Sequence, residues 1–246
     1  MPKAFLRFFN ELNDLLPGYR RNTEFDAEFK DRRSVKDLIE SLGVPHTEVD
    51  IIISNGKSVD FNYIVQENDH IHVHPALKIQ DREGLMRLCP LSSSSIRFIV
   101  DTNLGNIARL MRMLGFDTYF DPNLSNRAII EISNKEYRTI ITTSRKILKF
   151  RDARFGLLLR PDGAERQIKN ILFRLEIKDE IKPFSRCIRC NGILIHVQKE
   201  DIADRIPPKT ESFCNAYSHC EYCDKIYWEG THVFKMRELI DRLLSD

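Results

Sequence analysis

Two Cys-x-x-Cys pairs set the tightest limit on what this chain can fold into. Cys187-Ile188-Arg189-Cys190 and Cys220-Glu221-Tyr222-Cys223 are separated by 29 residues, and each stands ahead of a short apolar strand candidate, at Ile193 and Ile226. Two such turns brought face to face offer four thiolates in a tetrahedron, the geometry of a closed structural Zn2+ site. A redox Cys-x-x-Cys needs one pair and usually sits at a helix N-terminus, so the doubled pattern reads as a structural metal site. A site closed by four sulfurs keeps no open position for catalysis. Cys214, His196 and His219 are spare donors that break the pattern, and Cys89 is an isolated thiol.

Composition narrows the class further. With 246 residues and 42% hydrophobic content, the chain can bury one or two ordinary cores, which excludes a disordered or collagen-like protein. Its apolar runs, such as Ile51-Ile52-Ile53, are far short of the ~20 residues of a membrane helix. The first residues, broken by Arg7, Asn10, Glu11 and Asp14, do not read as a secretory signal. A cytoplasmic protein is expected, in which six cysteines serve as metal ligands or free thiols rather than disulfides. Charge is uneven: residues 1–78 carry net −3, residues 79–180 net +5, and residues 181–246 are balanced. An anionic partner is therefore expected at the middle of the chain.

The chain divides into three folded segments. In residues 1–78, Ala4-Phe5-Leu6-Arg7-Phe8-Phe9 and Asp50-Ile51-Ile52-Ile53 read as strands, with a helix between them capped by Ser34 and closed by Gly43. Asn55-Gly56 is a two-residue hairpin signal, and His70-Ile71-His72-Val73-His74 is a closing strand ended by Pro75. The three histidines share one strand face, either as metal donors or as a solvated surface. Residues 79–95, with Ser92-Ser93-Ser94-Ser95, read as a linker. Residues 96–182 alternate strand and helix. Phe98-Ile99-Val100 ends in Asp101, an apolar helix stripe runs from Leu104 to Leu114, and strands follow near Thr118, Ile140 and Leu158. Ser125 and Ser144 are expected helix caps. That alternation specifies parallel strands with helices on their faces, where ligands gather at the carboxyl ends of the strands. Residues 183–246 hold the cysteines, short strands and a last helix.

The first segment, with its His-Ile-His-Val-His-Pro ending, resembles the ubiquitin-like β-grasp domain of sulfur carriers, but Pro75-Ala76-Leu77-Lys78 replaces the carriers' Gly-Gly. The stretch Phe98-Ile99-Val100-Asp101-Thr102-Asn103-Leu104-Gly105-Asn106-Ile107-Ala108-Arg109-Leu110 resembles the Mut-seven C-terminal RNase family. Further agreement comes from Pro183-Phe184-Ser185-Arg186-Cys187, Ile206-Pro207-Pro208 and Tyr227-Trp228-Glu229-Gly230-Thr231-His232. The resemblance implies an α/β PIN-like parallel sheet domain, preceded by an α+β ubiquitin-like β-grasp domain and followed by a zinc ribbon. The corresponding ranges are 1–78, 96–182 and 183–246.

The same resemblance implies metal-dependent endoribonuclease ancestry. Asp101 is then the principal ligand of a Mg2+ or Mn2+ ion, assisted by Asp117 or Asp121. This sequence departs from the family where two further acids are expected, with Asn126 and Ser144 in their places. Losing two carboxylates weakens divalent-ion binding, which points to a degenerate site. Arg109, Arg112, Arg138, Arg145, Lys146, Lys149, Arg151 and Arg154 remain as candidate phosphate contacts, or as a solvated helical face. The expected function is an RNA-binding PIN-like protein that holds structured RNA, such as tRNA, rRNA or the ribosome, with weak or no cleavage. The alternatives are an active metal-dependent endoribonuclease and a non-catalytic adaptor that recruits protein partners through its ubiquitin-like domain and zinc ribbon.

Overall fold

The computed structural model describes residues 1–75, 85–88, 96–206 and 216–245. Most of the expected linker, together with Cys89 and Cys214, lies outside these residues. The chain forms two compact units, Met1–Ile96 with Leu124–Leu159, and Arg97–Asn123 with Arg160–Asp246.

The first unit opens with a five-stranded mixed sheet. Its strands are β1 (Lys3–Phe8), β2 (Glu24–Glu28), β3 (Val49–Ser54), β4 (Lys57–Val59) and β5 (His70–Pro75), in the order β2-β1-β5-β3-β4. Helix α1 (Val35–Ser41) crosses it, as a β-grasp requires. Alternation drives β1, since Ala4, Leu6 and Phe8 point inward while Lys3, Phe5 and Arg7 point out. Ser34 caps α1 by accepting the Asp37 N–H at 3.1 Å. Asn55 and Gly56, at φ 50° and 79°, make the tight turn that the Asn-Gly signal specifies. Between β3 and β5, buried Asp69 accepts from Asn55, Tyr63 and the Gln66 N–H at 2.7–2.9 Å, so the closing loop leaves its carboxylate fully bonded. Leu88 adds to the core beneath this sheet.

The same unit contains α3 (Asn126–Glu136), β8 (Arg138–Thr142), α4 (Arg145–Leu148) and β9 (Gly156–Leu158). Every residue of β8 is buried, and β8 pairs with β9 in parallel, Ile140 opposite Gly156. Ser125 caps α3 through the Ala128 N–H at 3.2 Å. The expected side-chain cap at Ser144 is absent, because Ser144 instead donates its own N–H to Thr142 Oγ1 at 2.9 Å. Leu159 donates to Thr142 O, so alternation turns the Gly156 and Leu158 amides away from β8. The loop between α1 and β3 covers this edge. The Leu158 N–H donates to the buried Glu48 carboxylate, and a Cβ on Gly156 would stand 3.3 Å from the Thr47 hydroxyl. His46 spans Glu40 Oε1 at 2.6 Å and Ala153 O at 2.8 Å.

The second unit holds β6 (Arg97–Val100), α2 (Gly105–Met113), β7 (Asp117–Tyr119), α5 (Ala164–Leu175), the antiparallel strands β10 (Ile195–Val197), β11 (Tyr217–Cys220) and β12 (Lys225–Trp228), and α6 (Thr231–Leu244). Strands β6 and β7 run parallel, Arg97 opposite Asp117 and Ile99 opposite Tyr119. Gly115, at φ 95°, ends α2 where any Cβ would stand 2.2 Å from Lys182 O. That close approach lets Lys182 and Phe184 donate to Leu114 O and Met113 O, both at 2.9 Å, and so deliver the chain to the first cysteine pair. Strands β10, β11 and β12 form one three-stranded sheet over a small core of Ile202, Ile206 and Tyr217. Among the described residues, no helix is long and apolar enough to cross a membrane.

Candidate metal centre and acidic strand edge

The four cysteines of the two pairs converge. All their sulfurs lie within 4.8 Å of one another, with Cys187 and Cys223 3.6 Å apart and Cys190 and Cys220 3.4 Å apart. Sulfurs about 2.3 Å from a tetrahedral zinc stand about 3.8 Å from each other, so this group has the size to hold such an ion. Local chemistry explains the convergence. Each pair sits in a tight turn closed by a residue in the left-handed region, Asn191 at φ 72° and Asp224 at φ 58°, residue types that tolerate that conformation. Asn191 N donates to Cys187 O at 2.9 Å, and Asp224 N donates to Cys220 O at 2.7 Å. Gly192 is equally constrained, since a Cβ there would meet Cys220 Sγ at 2.9 Å.

Electrostatics favour a cation at this point. Burial pushes the Cys187 thiol up, but the Tyr227 hydroxyl at 3.0 Å and the Cys190 and Arg189 amides outweigh it and lower the thiol to about 6. Burial and the neighbouring sulfurs push Cys190 up to about 12, and burial also raises Cys223. A bound cation offsets the burial that disfavours the thiolate form at Cys190 and Cys223.

The first cysteine turn is tied to α2 and β7. Buried Arg112 donates to Thr118 O at 2.8 Å, Arg189 O at 2.8 Å and Ile188 O at 3.3 Å. Asn191 accepts the Thr118 N–H and donates to Asp117 Oδ1, both at 2.8 Å. Arg112 was expected at a phosphate, but its side chain is enclosed and engaged with carbonyls of the cysteine turn. Burial lowers its pKa, while Cys190, Cys187 and Asp117 act the other way.

The strand register separates the candidate acids. Asp101 follows β6 at its carboxyl end and is buried, with the Thr102 hydroxyl 3.3 Å from Oδ1. Asp121 follows β7 at that same end. Asp117 pairs with Arg97 at the amino end, four residues away from Asp101, or about 13 Å along the strand. Asn191 holds Asp117, with Arg186 at 3.7 Å. Asp117 therefore does not share an ion with Asp101, as the sequence expectation had it, while Asp121 stays at the correct edge. In the first unit, Asn126 is the exposed first residue of α3, and Ser144 precedes α4.

The basic candidates also divide. Arg109, Arg145, Lys146, Arg151 and Arg154 are exposed. Arg138 is not available to a phosphate, because it is buried and bonded to Glu136 at 2.6 Å. Lys149 donates to Glu40 O at 2.6 Å, and Arg145 donates to Leu15 O at 3.3 Å, so both also fasten α4 to α1 and to the turn after β1. Phe150, between exposed Lys146 and Arg151 in the chain, is 47% exposed, and Tyr137 is 67% exposed and 6.4 Å from Phe155. On β5, the histidines stack on aromatic rings, His70 on Phe5 at 4.9 Å and His74 on Phe9 at 4.1 Å, and His72 meets Phe9 edge-on. Among the described residues, the cysteines are the one group of metal-binding side chains close enough to share an ion. Sequence reading missed Tyr227 and Asn191, for which the only local signal was an Asn directly after a Cys-x-x-Cys.

Comparison with known proteins accords with this architecture. Residues 1–81 match the Mut7-C ubiquitin family, and residues 96–240 match the Mut7-C RNAse domain. None of the curated proteins matches the chain. Among solved structures, a putative molybdopterin converting factor, subunit 1, from Pyrococcus furiosus is similar to 31% of this chain. That similarity covers 100% of the smaller protein at 20% identity, with a TM-score of 0.26. Because the RNAse-domain match spans more than half of its residues, this chain belongs to the Mut7-C RNAse domain family and carries that family's ubiquitin-like domain at its N-terminal side.

Proposed function

We propose that this protein binds structured RNA, such as tRNA, rRNA or the ribosome, in the cytoplasm, through a PIN-like domain whose cleavage site is degenerate. On this reading residues 96–182 are the PIN-like domain, and residues 183–246 are a zinc ribbon in which Cys187, Cys190, Cys220 and Cys223 hold one Zn2+. The observation that carries RNA binding is the surface around α4. Lys146 and Arg151, exposed and without an acid partner among the described residues, lie within four residues of exposed Phe150 in the chain, and the same unit exposes Tyr137. Cations there neutralise phosphates and release counterions, while the rings offer stacking faces.

Weak cleavage follows from the acids. A two-metal or one-metal nuclease gathers several carboxylates to bind Mg2+ or Mn2+ and activate water. Here Asp101 keeps its edge position, Asp121 is the nearest acid along the register, Asp117 is committed elsewhere, and Asn126 and Ser144 bring no charge. The test of binding is retention of folded tRNA by the purified protein across a salt series. Affinity that falls steeply with salt, and a shallower slope for Lys146→Ala/Arg151→Ala, is the expected result. No RNA retention, with a stable protein complex recovered instead, would replace this reading with the adaptor.

A further inference from the structure

The second cysteine turn carries an exposed aromatic ring. Tyr222 stands between Cys220 and Cys223 and is 84% exposed, the largest exposure of any large hydrophobic side chain described. Its backbone has little freedom, because both flanking cysteines belong to the sulfur cluster and Asp224 N closes the turn onto Cys220 O. Gly192 presses against it, since a Cβ there would stand 3.1 Å from Tyr222 Cβ. Ile193, the residue after Gly192, is 67% exposed.

The charges around it suit a polyanion. Arg189 occupies in the first turn the position that Tyr222 occupies in the second, and it is exposed with no acid partner among the described residues. Lys225 is likewise exposed, its ammonium 5.3 Å from the Tyr227 ring. Of the two neighbouring acids, Asp224 is engaged by His219 and Arg205, both at 2.8 Å, which leaves Glu221. An exposed aromatic ring on a rigid turn, in a cysteine region that also exposes Arg189 and Lys225, matches how unpaired bases are captured: the ring stacks on the base, and cations take the adjoining phosphates. Paired bases are already stacked inside a duplex and leave such a ring nothing to cover. We propose that the exposed Tyr222 ring is a stacking site for a single-stranded segment of RNA, with Arg189 and Lys225 as its phosphate contacts. The inference rests on the RNA-binding reading above and adds to it the kind of RNA that this turn selects.

Fluorescence anisotropy tests it on the full-length, zinc-loaded protein, without added Mg2+ or Mn2+, using a short oligo-uridine and a fully paired RNA duplex. Tyr222→Ala should weaken oligo-uridine binding about 5- to 150-fold, which is what ~1–3 kcal/mol per stacked base converts to, and leave duplex binding unchanged. Tyr222→Trp, which keeps a stacking face, should bind oligo-uridine at least as tightly as the parent, and both variants should keep their zinc. Unchanged oligo-uridine binding by Tyr222→Ala, equal losses on both RNAs, or weakened binding by Tyr222→Trp would each overturn the stacking site while RNA binding itself stands. A parent protein that binds neither RNA would remove the general reading as well.

Discussion

The β-grasp sheet and the cysteine turns solve the same problem with opposite means. Beneath β1–β5, sixteen buried apolar residues among those described form one cluster, and the buried Asp69 carboxylate is closed by groups of its own loop and turn. Among the described residues, the three-stranded sheet beside the cysteines buries Ile202, Ile206 and Tyr217, with Val197, Ile226 and Trp228 partly buried against them. These side chains alone bury little apolar area against the conformational entropy of ordering the chain around them. There hydrogen bonds such as those of Arg112 contribute, and an ion held by the four cysteines would supply the rest. The difference teaches where each region is vulnerable: one to cavities, the other to loss of metal.

That contrast gives expectations in descending order of effect. Cys187→Ser or Cys220→Ser should lose the ion and the folded β10–β12 sheet, read as zinc content together with hydrogen exchange, while protection in β1–β5 persists. Zinc retained at full occupancy in both variants would mean that the cluster is not the metal site. Acid should act in the same direction, because the Cys190 and Cys223 thiols hold their protons above the ordinary range and a falling pH favours the protonated, metal-free form. Leu38→Ala, at a site 1% exposed in the β-grasp core, should cost about 2–5 kcal/mol in denaturant unfolding without changing zinc content. Zinc loss in that variant would erase the distinction between the regions.

Arg112→Ala should cost about 2–3 kcal/mol, because it strips a charged donor from three carbonyls, and should make zinc easier to remove with a chelator. Chelation kinetics equal to the parent's would show that the cysteine turn is rigid without its guanidinium. The smallest effect belongs to Ser34→Ala, about 1 kcal/mol from the lost cap of α1, with no change anywhere near the cysteines.

Features written in short-range pattern were legible in advance. Alternation in β1 and β5, the Ser34 cap, the Asn55-Gly56 turn and both cysteine pairs each depend on residues a few positions apart. What escaped depends on distant ones. Strand β2 reads Glu-Phe-Asp-Ala-Glu, an edge strand whose outward acids hide its period, and its place is set by pairing with β1. Arg112 lies outside the apolar stripe of α2 and looks solvated, yet its acceptors Ile188 and Arg189 arrive 76 and 77 residues later. Asp117 is close to Asp101 in sequence, but parallel pairing with β6 places it at the other end of the strand. Lys149 seemed one of a basic run until Glu40 O, 109 residues earlier, claimed it. Local physics announces elements and ligand pairs, whereas the fate of a long charged side chain is decided by whatever the fold brings beside it.

The most direct test of the central claim, a PIN-like domain that keeps Asp101 but lacks the carboxylates for efficient cleavage, is the digestion of cellular RNA by purified protein with added Mn2+, beside an Asp101→Asn variant prepared in parallel. The account expects product from the parent to stay at or barely above the variant's background, while both proteins still retain RNA. Robust Mn2+-dependent cleavage that disappears in Asp101→Asn would contradict it and make this chain a working endoribonuclease.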